Sequence, residues 1–530
     1  MARWLPATVA FLLPTLFIPI SVDAYVLPRA SLALAGGGLL AAAGLVAGTR
    51  SLGRLRLPAL AVASAAVAAG LLSTAPALTL VGAYSRYESL PVRLGYLGLL
   101  CGAAWLGERR RTVAAYLAGC GVASAEALVQ AARHVPFRPD GNLGNANLLG
   151  ALLAMALPLA ADRARTAAPP ARRAWLALAA LLVAGLVVTT SRSGWLAAVA
   201  GLGVLVACLV PRRRVWIPLA GGVLALTLAF GAIALTPLRA LNDDTGEARL
   251  GVWHDSLSVI ADRPLLGWGE DTMGLVFGRH QTGDWAPGHN FDRAHSMPLD
   301  LAATQGLVGL AACTWLLGAW WLGVWRRRDL PGLAGLAGAA AAYLVWSLVN
   351  FDWAPATAPF WLLAGAAWPG ETLPPGGGGQ GGGAAQTDDA EMRARSRPPP
   401  PRPSPSGGEG ARAEGVRWLA AGGLVVLGLV LAVPPVVADV FPARGQPGRA
   451  AAVDPLQPAY QTEVGDLAGL RRAAALGDPN PPTYVALGDA EAGAGNQAAA
   501  VAAYRRALQL NPYDRDARQR LSGSPRAASG

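Results

Sequence analysis

The chain has 530 residues, of which 53% are hydrophobic and only 15% charged, and it carries a net charge of +11 without a single lysine. Apolar runs of about 17–23 residues recur along it, each long enough to cross a bilayer as a helix. That pattern excludes a soluble globular domain and a disordered chain. The arginines fall in short clusters between the runs, which is a topology signal rather than the footprint of a nucleic-acid binder.

In chain order, spans are expected near 4–22, 30–48, 57–75, 89–107, 112–132, 143–161, 173–190, 193–210, 215–237, 296–325, 331–349, 354–369 and 416–438. The first run, LPATVAFLLPTLFIPI, is followed by VDA and looks like a secretion signal, but the spans behind it make it the first anchor. The fold class is therefore an all-α polytopic membrane protein. Cys101, Cys120, Cys208 and Cys313 all lie in apolar runs without metal-ligand spacing and read as small core residues.

Alternate loops carry the arginine clusters: Arg50/Arg54/Arg56, Arg109–Arg111, Arg163/Arg165/Arg172/Arg173, Arg212–Arg214 and Arg326–Arg328. That side is expected to be cytoplasmic. The opposite, external side then holds the loop at Arg86, the stretch before Asn145, the Thr190–Arg192 junction, the long loop 238–295 and the NFDW turn at 350–353. The segment 371–415, with GGGGQGGGAAQ and RPPPPRPSPSGG, cannot bury a core and reads as a flexible cytoplasmic linker. A further span at 416–440 sends residues 441–530 outside.

That tail contains PTYVALGDAEAGAGNQAAAVAAYRRALQLNPYD. Tyr484, Leu487, Gly488, Ala500, Tyr504, Ala507 and Pro512 fit the tetratricopeptide pattern, and Glu491 stands where an aromatic is usual. Residues 466–480 read as the second helix of a degenerate preceding repeat. An Ala-rich helical hairpin of no particular family is the plainer alternative. Such repeats mostly bind protein partners, so the tail is assigned no chemistry, and a chain ending near Gly370 is expected to keep its basal activity.

The candidate chemistry lies on the external side. Arg192, in TTSRSGWLA, is a lone external arginine between two adjoining spans. It reads either as a residue kept for a partner or as one snorkelling to the interface. Asn142, Asn145 and Asn147 open a span with Gly141 and Gly144, as a helix cap or as a presentation of backbone N–H groups. In the long loop, Arg249, Trp253, Ile260 and Leu266 recur at near-helical spacing, which suits an amphipathic helix on the membrane surface. Arg249 serves equally as a solvated charge. GHNFDRAHSMPLDLAATQG then brings His289, Arg293 and His295 to the mouth of the tenth span. Several guanidinium groups can clamp a diphosphate, and a neutral histidine can take a proton from an attacking hydroxyl. The pattern points to a transferase with a lipid-diphosphate donor that needs no metal and no cofactor.

At these residues the chain resembles the O-antigen ligase family, whose relatives include O-antigen polymerases and protein O-oligosaccharyltransferases. SVDAYVLPRASL, LSTAPALTLVGAYSRYESL, GNLGNANLLGALLAMALPLA, TTSRSGWLA and RPLLGWGEDTMG are similar to its blocks across most of residues 20–370, and His295 and Gly306 fit its His-x10-Gly motif. The resemblance implies a GT-C-type bundle of about 12 transmembrane helices at 1–370 in a bacterial cytoplasmic (inner) membrane. It implies transfer of a glycan from undecaprenyl diphosphate to a hydroxyl of a glycan, lipid or protein acceptor on the external face. His295 would assist that hydroxyl, and Arg192 and Arg249 would hold the diphosphate. Arg86, Asn145, Asn147 and Arg293 are expected to bind substrate, and Gly267, Gly269 and Gly306 to shape the backbone. A polysaccharide polymerase shares this site. Two readings of other classes are a tetratricopeptide scaffold anchored in the membrane and a transporter, for which Glu126 is the main mid-span ionisable residue.

Overall fold

The computed structural model describes residues 2–215, 217, 221, 224, 247–288, 290–372 and 408–523. The protein is helical throughout this range, apart from a two-residue antiparallel pairing of Arg50–Ser51 with Glu371–Thr372. The membrane part comprises α1 (Leu5–Thr15), α2 (Val26–Ala47), α3 (Arg56–Leu71), α4 (Leu90–Leu106), α5 (Arg109–Ala132), α6 (Ala146–Thr166), α7 (Pro169–Val188) and α8 (Arg192–Leu209). After the loop helix α9 (Glu247–Asp262) come α10 (Met297–Arg326), α11 (Leu333–Ser347), α12 (Ala354–Ala367) and α13 (Gly408–Ala438).

Among the described residues, 8 helices are long and apolar enough to cross a membrane, and they fall where spans are expected from sequence. Helices α1, α4, α11 and α12 are shorter than the roughly 20 residues that span a bilayer. The reason is clearest in α12, all of whose residues are buried. A helix walled in by other helices has no lipid face to match. Most of the expected span at 215–237, His289 and nearly all of the linker lie outside the described residues.

Helix α6 is buried on every side and forms the centre of the bundle. Helices α2 and α4 meet backbone to backbone: a Cβ on Gly37 would stand 2.2 Å from the Gly95 carbonyl oxygen. Small residues permit this approach, which gives helices in lipid their dispersion contact. The arginine-bearing ends gather at one end of the bundle. Arg54, Arg326 and Arg327 line one cavity with Trp368. Arg109 donates to the carbonyls of Pro331, Ala366 and Ala367, and Arg163 to that of Arg110. The four cysteines are free, and all but Cys101 are fully buried.

The tail is a run of helices, α14 (Pro447–Val453), α15 (Pro458–Val464), α16 (Leu467–Leu476), α17 (Pro481–Gly493), α18 (Gln497–Leu510) and α19 (Arg515–Ser522). Helices α17 and α18 form the expected hairpin, and Gly488 lets the Tyr504 ring lie against the α17 backbone. Glu491, the residue at odds with the repeat pattern, accepts a bidentate pair from Arg471 of α16 at 2.7 and 2.9 Å. The ion pair joins the hairpin to the helix before it where an aromatic contact is usual.

Candidate functional site

The loop from α9 to α10 is fixed by a break in α10. Gly306, nine residues into this helix, has φ 69° and ψ −175°, a conformation open essentially to glycine alone. The break frees backbone groups on both sides, and the PLLGWG segment, 264–269, satisfies them. The N–H groups of Trp268 and Gly269 donate to the carbonyls of Ala303 and Thr304 at 3.0 and 2.9 Å. In return the N–H groups of Leu307 and Val308 donate to the carbonyls of Pro264 and Leu265 at 2.7 and 3.2 Å. A Cβ on Gly306 would lie 2.1 Å from the Leu265 oxygen, and one on Gly267 2.5 Å from the Thr304 carbonyl. Gly269, with φ 104°, leaves room for Ser73. Irregular backbone survives at membrane depth only when protein encloses it, and this four-bond clasp does so.

Beyond the clasp, Glu270 accepts from Arg93 of α4 at 3.2 Å and from Gln305. Arg93 also pairs with Asp352 and lies 3.9 Å from Glu88, while Tyr96 and Tyr343 donate to Glu88 and Asp352 at 2.6 and 2.7 Å. This buried ionic network was not anticipated from sequence. Arg93 stands alone in an apolar span, and its carboxylate partners are scattered through three separate loops.

The network and the clasp set the position of His295. Its backbone has φ 52°, unusual for a side chain with a Cβ. The flanking residues hold it there: Ala294 N–H donates to Asp300 Oδ1 at 2.7 Å, and Met297 N–H to the Asn350 carbonyl at 2.8 Å. The imidazole meets the Phe351 ring edge to face at 5.3 Å, with Phe291 on another side at 6.4 Å. Arg86 lies over the same Phe351 at 5.1 Å and over Trp353 at 4.8 Å, and it grips Asp292 with bonds of 2.6 and 3.1 Å. Arg293 approaches Phe351 at 5.7 Å from the interior. Phe351, from the NFDW turn, thus collects Arg86, Arg293 and His295 around one ring.

Arg293 is only 1% exposed and pairs with Asp271. Burial lowers its pKa, although the Asp300 and Glu88 carboxylates pull the other way. Its burial makes it a support for the loop rather than a surface for a donor. Burial pushes the Asp292 carboxyl up, but the Arg86 guanidinium outweighs this and holds it below the ordinary value.

A second cluster forms where α6, α7 and α8 reach the same loops. Asn145 caps α6, its Oδ1 accepting from Asn147 N–H at 2.8 Å, which is the plain helix-cap role. Asn147 Oδ1 accepts from Arg138 at 3.2 Å and from the Ser191 hydroxyl at 3.0 Å. Ser191 caps α8, whose first residue is the half-buried Arg192. Arg138 donates to the Thr189 carbonyl and the Thr190 hydroxyl at 2.9–3.1 Å, and so splints the junction, where Thr190 has φ 51°. Burial and the neighbouring Arg192 charge both lower the Arg138 pKa. The sequence signal for Arg138 is an arginine three residues before the Gly/Asn-rich helix start at Gly141.

Arg249 stands, half-buried, in the first turn of α9. Helix α9 ends at Asp262, so Leu266 falls in the turn of the clasp rather than on the helix. The helix buries Val252, Asp255, Ser256 and Val259 and exposes Leu250 and Leu257, two turns apart. Asp255 accepts from Trp285, from Thr282 and from its neighbour His254, tying the following loop to the helix.

Comparison with known families bears on this region directly. Residues 177–314 match the family model for O-antigen ligase. The O-antigen ligase segment includes Arg192, α9, the clasp, His295 and Gly306, so the match agrees with the resemblance read from sequence. Residues 481–522 match the tetratricopeptide repeat, covering α17, α18 and α19. No curated protein and no solved structure matches the chain. That match, with the 8 long apolar helices among the described residues, supports a multi-pass membrane protein that carries an O-antigen-ligase-like segment.

Proposed function

We propose that the protein transfers a glycan from undecaprenyl diphosphate to an acceptor hydroxyl on the external face of a bacterial cytoplasmic membrane. Its membrane part, residues 1–370, acts as a GT-C-type unit of about 12 spans. The acceptor oxygen attacks the anomeric carbon, and the bond from that carbon to the diphosphate breaks. The lipid diphosphate leaves with the bonding electrons, and the acceptor proton passes to His295. Arg192 and Arg249 carry the diphosphate charge as it develops. Arg86 and Arg293, each committed to a carboxylate, position the loop. Asn147 and Arg138 position the turn that presents Arg192.

The observation that carries this reading is the gathering of Arg86, Arg293 and His295 around Phe351, within and beside the segment that matches O-antigen ligases. An apolar groove of about 240 Å³ supports it. The groove begins at Met297 and Pro298, just past His295, and follows α10 and α11 down to Leu317. A polyprenyl chain placed there would bring its diphosphate to the loop. The exposed Leu250 and Leu257 suit a helix resting on lipid.

The test is transfer from a purified lipid-diphosphate glycan, read by mass spectrometry. His295→Ala protein that inserts normally is expected to lose transfer by about 100-fold or more. Wild-type-like transfer by that variant would overturn the role of His295. A glycan moved to a new acceptor identifies a ligase, and one lengthened while still on lipid a polymerase.

A further inference from the structure

The tetratricopeptide-bearing tail does not stand apart from the membrane part. It touches both segments that build the Phe351 cluster. On one side, Asp439 at the end of α13 accepts from Tyr84 at 2.7 Å, from Tyr460 of α15 at 3.0 Å and from Asp23 N–H at 2.7 Å. Gln457 donates to the Gly82 carbonyl at 3.1 Å. These contacts fix the turn that leads into Arg86. On the other side, Asn290 donates to the Pro479 carbonyl at 3.0 Å. Gly278 lies so close to α18 that a Cβ there would stand 2.1 Å from the Leu510 oxygen. Tyr484, Ala507 and Leu510 of the repeat share one apolar core with Phe277 and Phe291 of the external loop. Phe291 in turn touches His295.

We infer that the C-terminal domain is a built-in part of the transfer site: it acts on its own chain, clamping the Arg86 turn against the His295 loop. The partner that this face of the repeat fits is the protein's own external loop. The inference rests on the transfer function proposed above. Pairing between Arg86 and Asp292 needs two segments 206 residues apart in sequence to stay in register. The tail is bonded to both, so releasing it frees each to move. A misplacement of about 1 Å at such a site costs up to about 100-fold in rate. A chain ending near Gly370 is then expected to lose transfer, the reverse of the outcome expected from sequence.

The experiment uses the full chain. The double variant Asn290→Ala/Gln457→Ala removes one side-chain bond to each segment and leaves both apolar cores intact. Amide hydrogen exchange is followed in segments 80–86, 290–296 and 481–510 alongside transfer from the lipid-diphosphate glycan. Exchange is expected to quicken in all three segments by about tenfold or more. The kcat is expected to fall by about 10-fold or more while the donor KM changes little. A second variant, Gly274→Cys/Pro479→Cys, locks the contact. A Cβ on Gly274 would lie 3.2 Å from that of Pro479, close to the spacing a disulfide needs. Adding this cross-link to the double variant is expected to restore both protection and kcat. Faster exchange in 481–510 alone, with 290–296 and kcat unchanged, would overturn the inference. If the wild type transfers nothing, the proposed function fails, and the exchange pattern still decides whether the tail clamps the loop.

Discussion

Arg86 Nε lies 2.6 Å from Asp292 Oδ2, and the second bond of the pair closes at 3.1 Å. The two residues come from different loops, and His295 follows Asp292 by three positions. A forked pair of this kind fixes orientation as well as distance. It sets the His295 loop relative to Phe351 and Trp353, over which the same guanidinium lies.

Asp292→Asn is expected to loosen the loop and lower kcat by about 10-fold or more, as expected for a positioning contact. Arg86→Lys is expected to behave similarly, because an ammonium cannot supply the planar fork. The pair also has a pH signature. Burial raises the Asp292 pKa, Arg86 lowers it by more, and the folded value lies below the ordinary one. The stabilisation is therefore present above the unfolded value of about 3.9 and is lost as pH falls through the lower folded value. Wild-type exchange in 290–296 is expected to stay slow at about neutral pH and rise only in strong acid. In Asp292→Asn it is expected to be fast throughout. Slow exchange in that variant at neutral pH would exclude the pair as the clamp.

Eight of the expected spans and the repeat were legible in the sequence because each is a local pattern, set by run length or period. His295 and Gly306 were legible through their spacing, although the reason for Gly306 was not: it is there to break a membrane helix. The Arg93 network was hidden because Glu88, Glu270 and Asp352 are far apart in sequence and meet only in the fold. Phe351 was hidden for another reason. An aromatic in a short turn between spans looks like an interface residue until the neighbours that crowd its ring are known. Asn145 reads from its position as a cap and from the family resemblance as a substrate contact, and its side chain is used as a cap.

Arg138→Ala is expected to release the Thr189–Arg192 junction, since it removes the donors to Thr189, Thr190 and Asn147 together. The positive φ at Thr190 costs about 1 kcal/mol or more without that support. Transfer is expected to fall about 10-fold, and Arg138→Lys is expected not to rescue it because the bonds leave a planar fork. Equal activity of the Lys variant and wild type would show that only charge matters there.

Gly306→Ala is expected to destabilise the whole membrane domain. The backbone conformation alone costs a non-glycine residue about 1–3 kcal/mol. The added methyl also collides with the Leu265 backbone, which cannot move without breaking the clasp. Thermal unfolding in detergent is expected to shift down by several degrees, with about equal loss for Gly267→Ala, whose Cβ meets the Thr304 backbone. Unchanged unfolding temperatures in both would show that α10 can close without its break.

Asp454, at the turn between α14 and α15, gives the tail a pH dependence of opposite sign. It is 7% exposed, and its Oδ2 has no hydrogen-bond partner among the described residues. Burial pushes its carboxyl up to about 6, although the N–H groups of Leu456 and Gln457 pull it down. A folded pKa above the unfolded one means that the native state holds the proton more tightly. The stability this contributes is complete below about pH 4 and is lost as pH rises through about 6. The change amounts to about 3 kcal/mol at most. Asp454→Asn keeps an acceptor for the two N–H groups and removes the charge. Amide exchange in residues 447–464 is expected to slow in this variant at neutral pH and to lose its dependence on pH between about 4 and 6. The same pH dependence in variant and wild type would place its origin in another group.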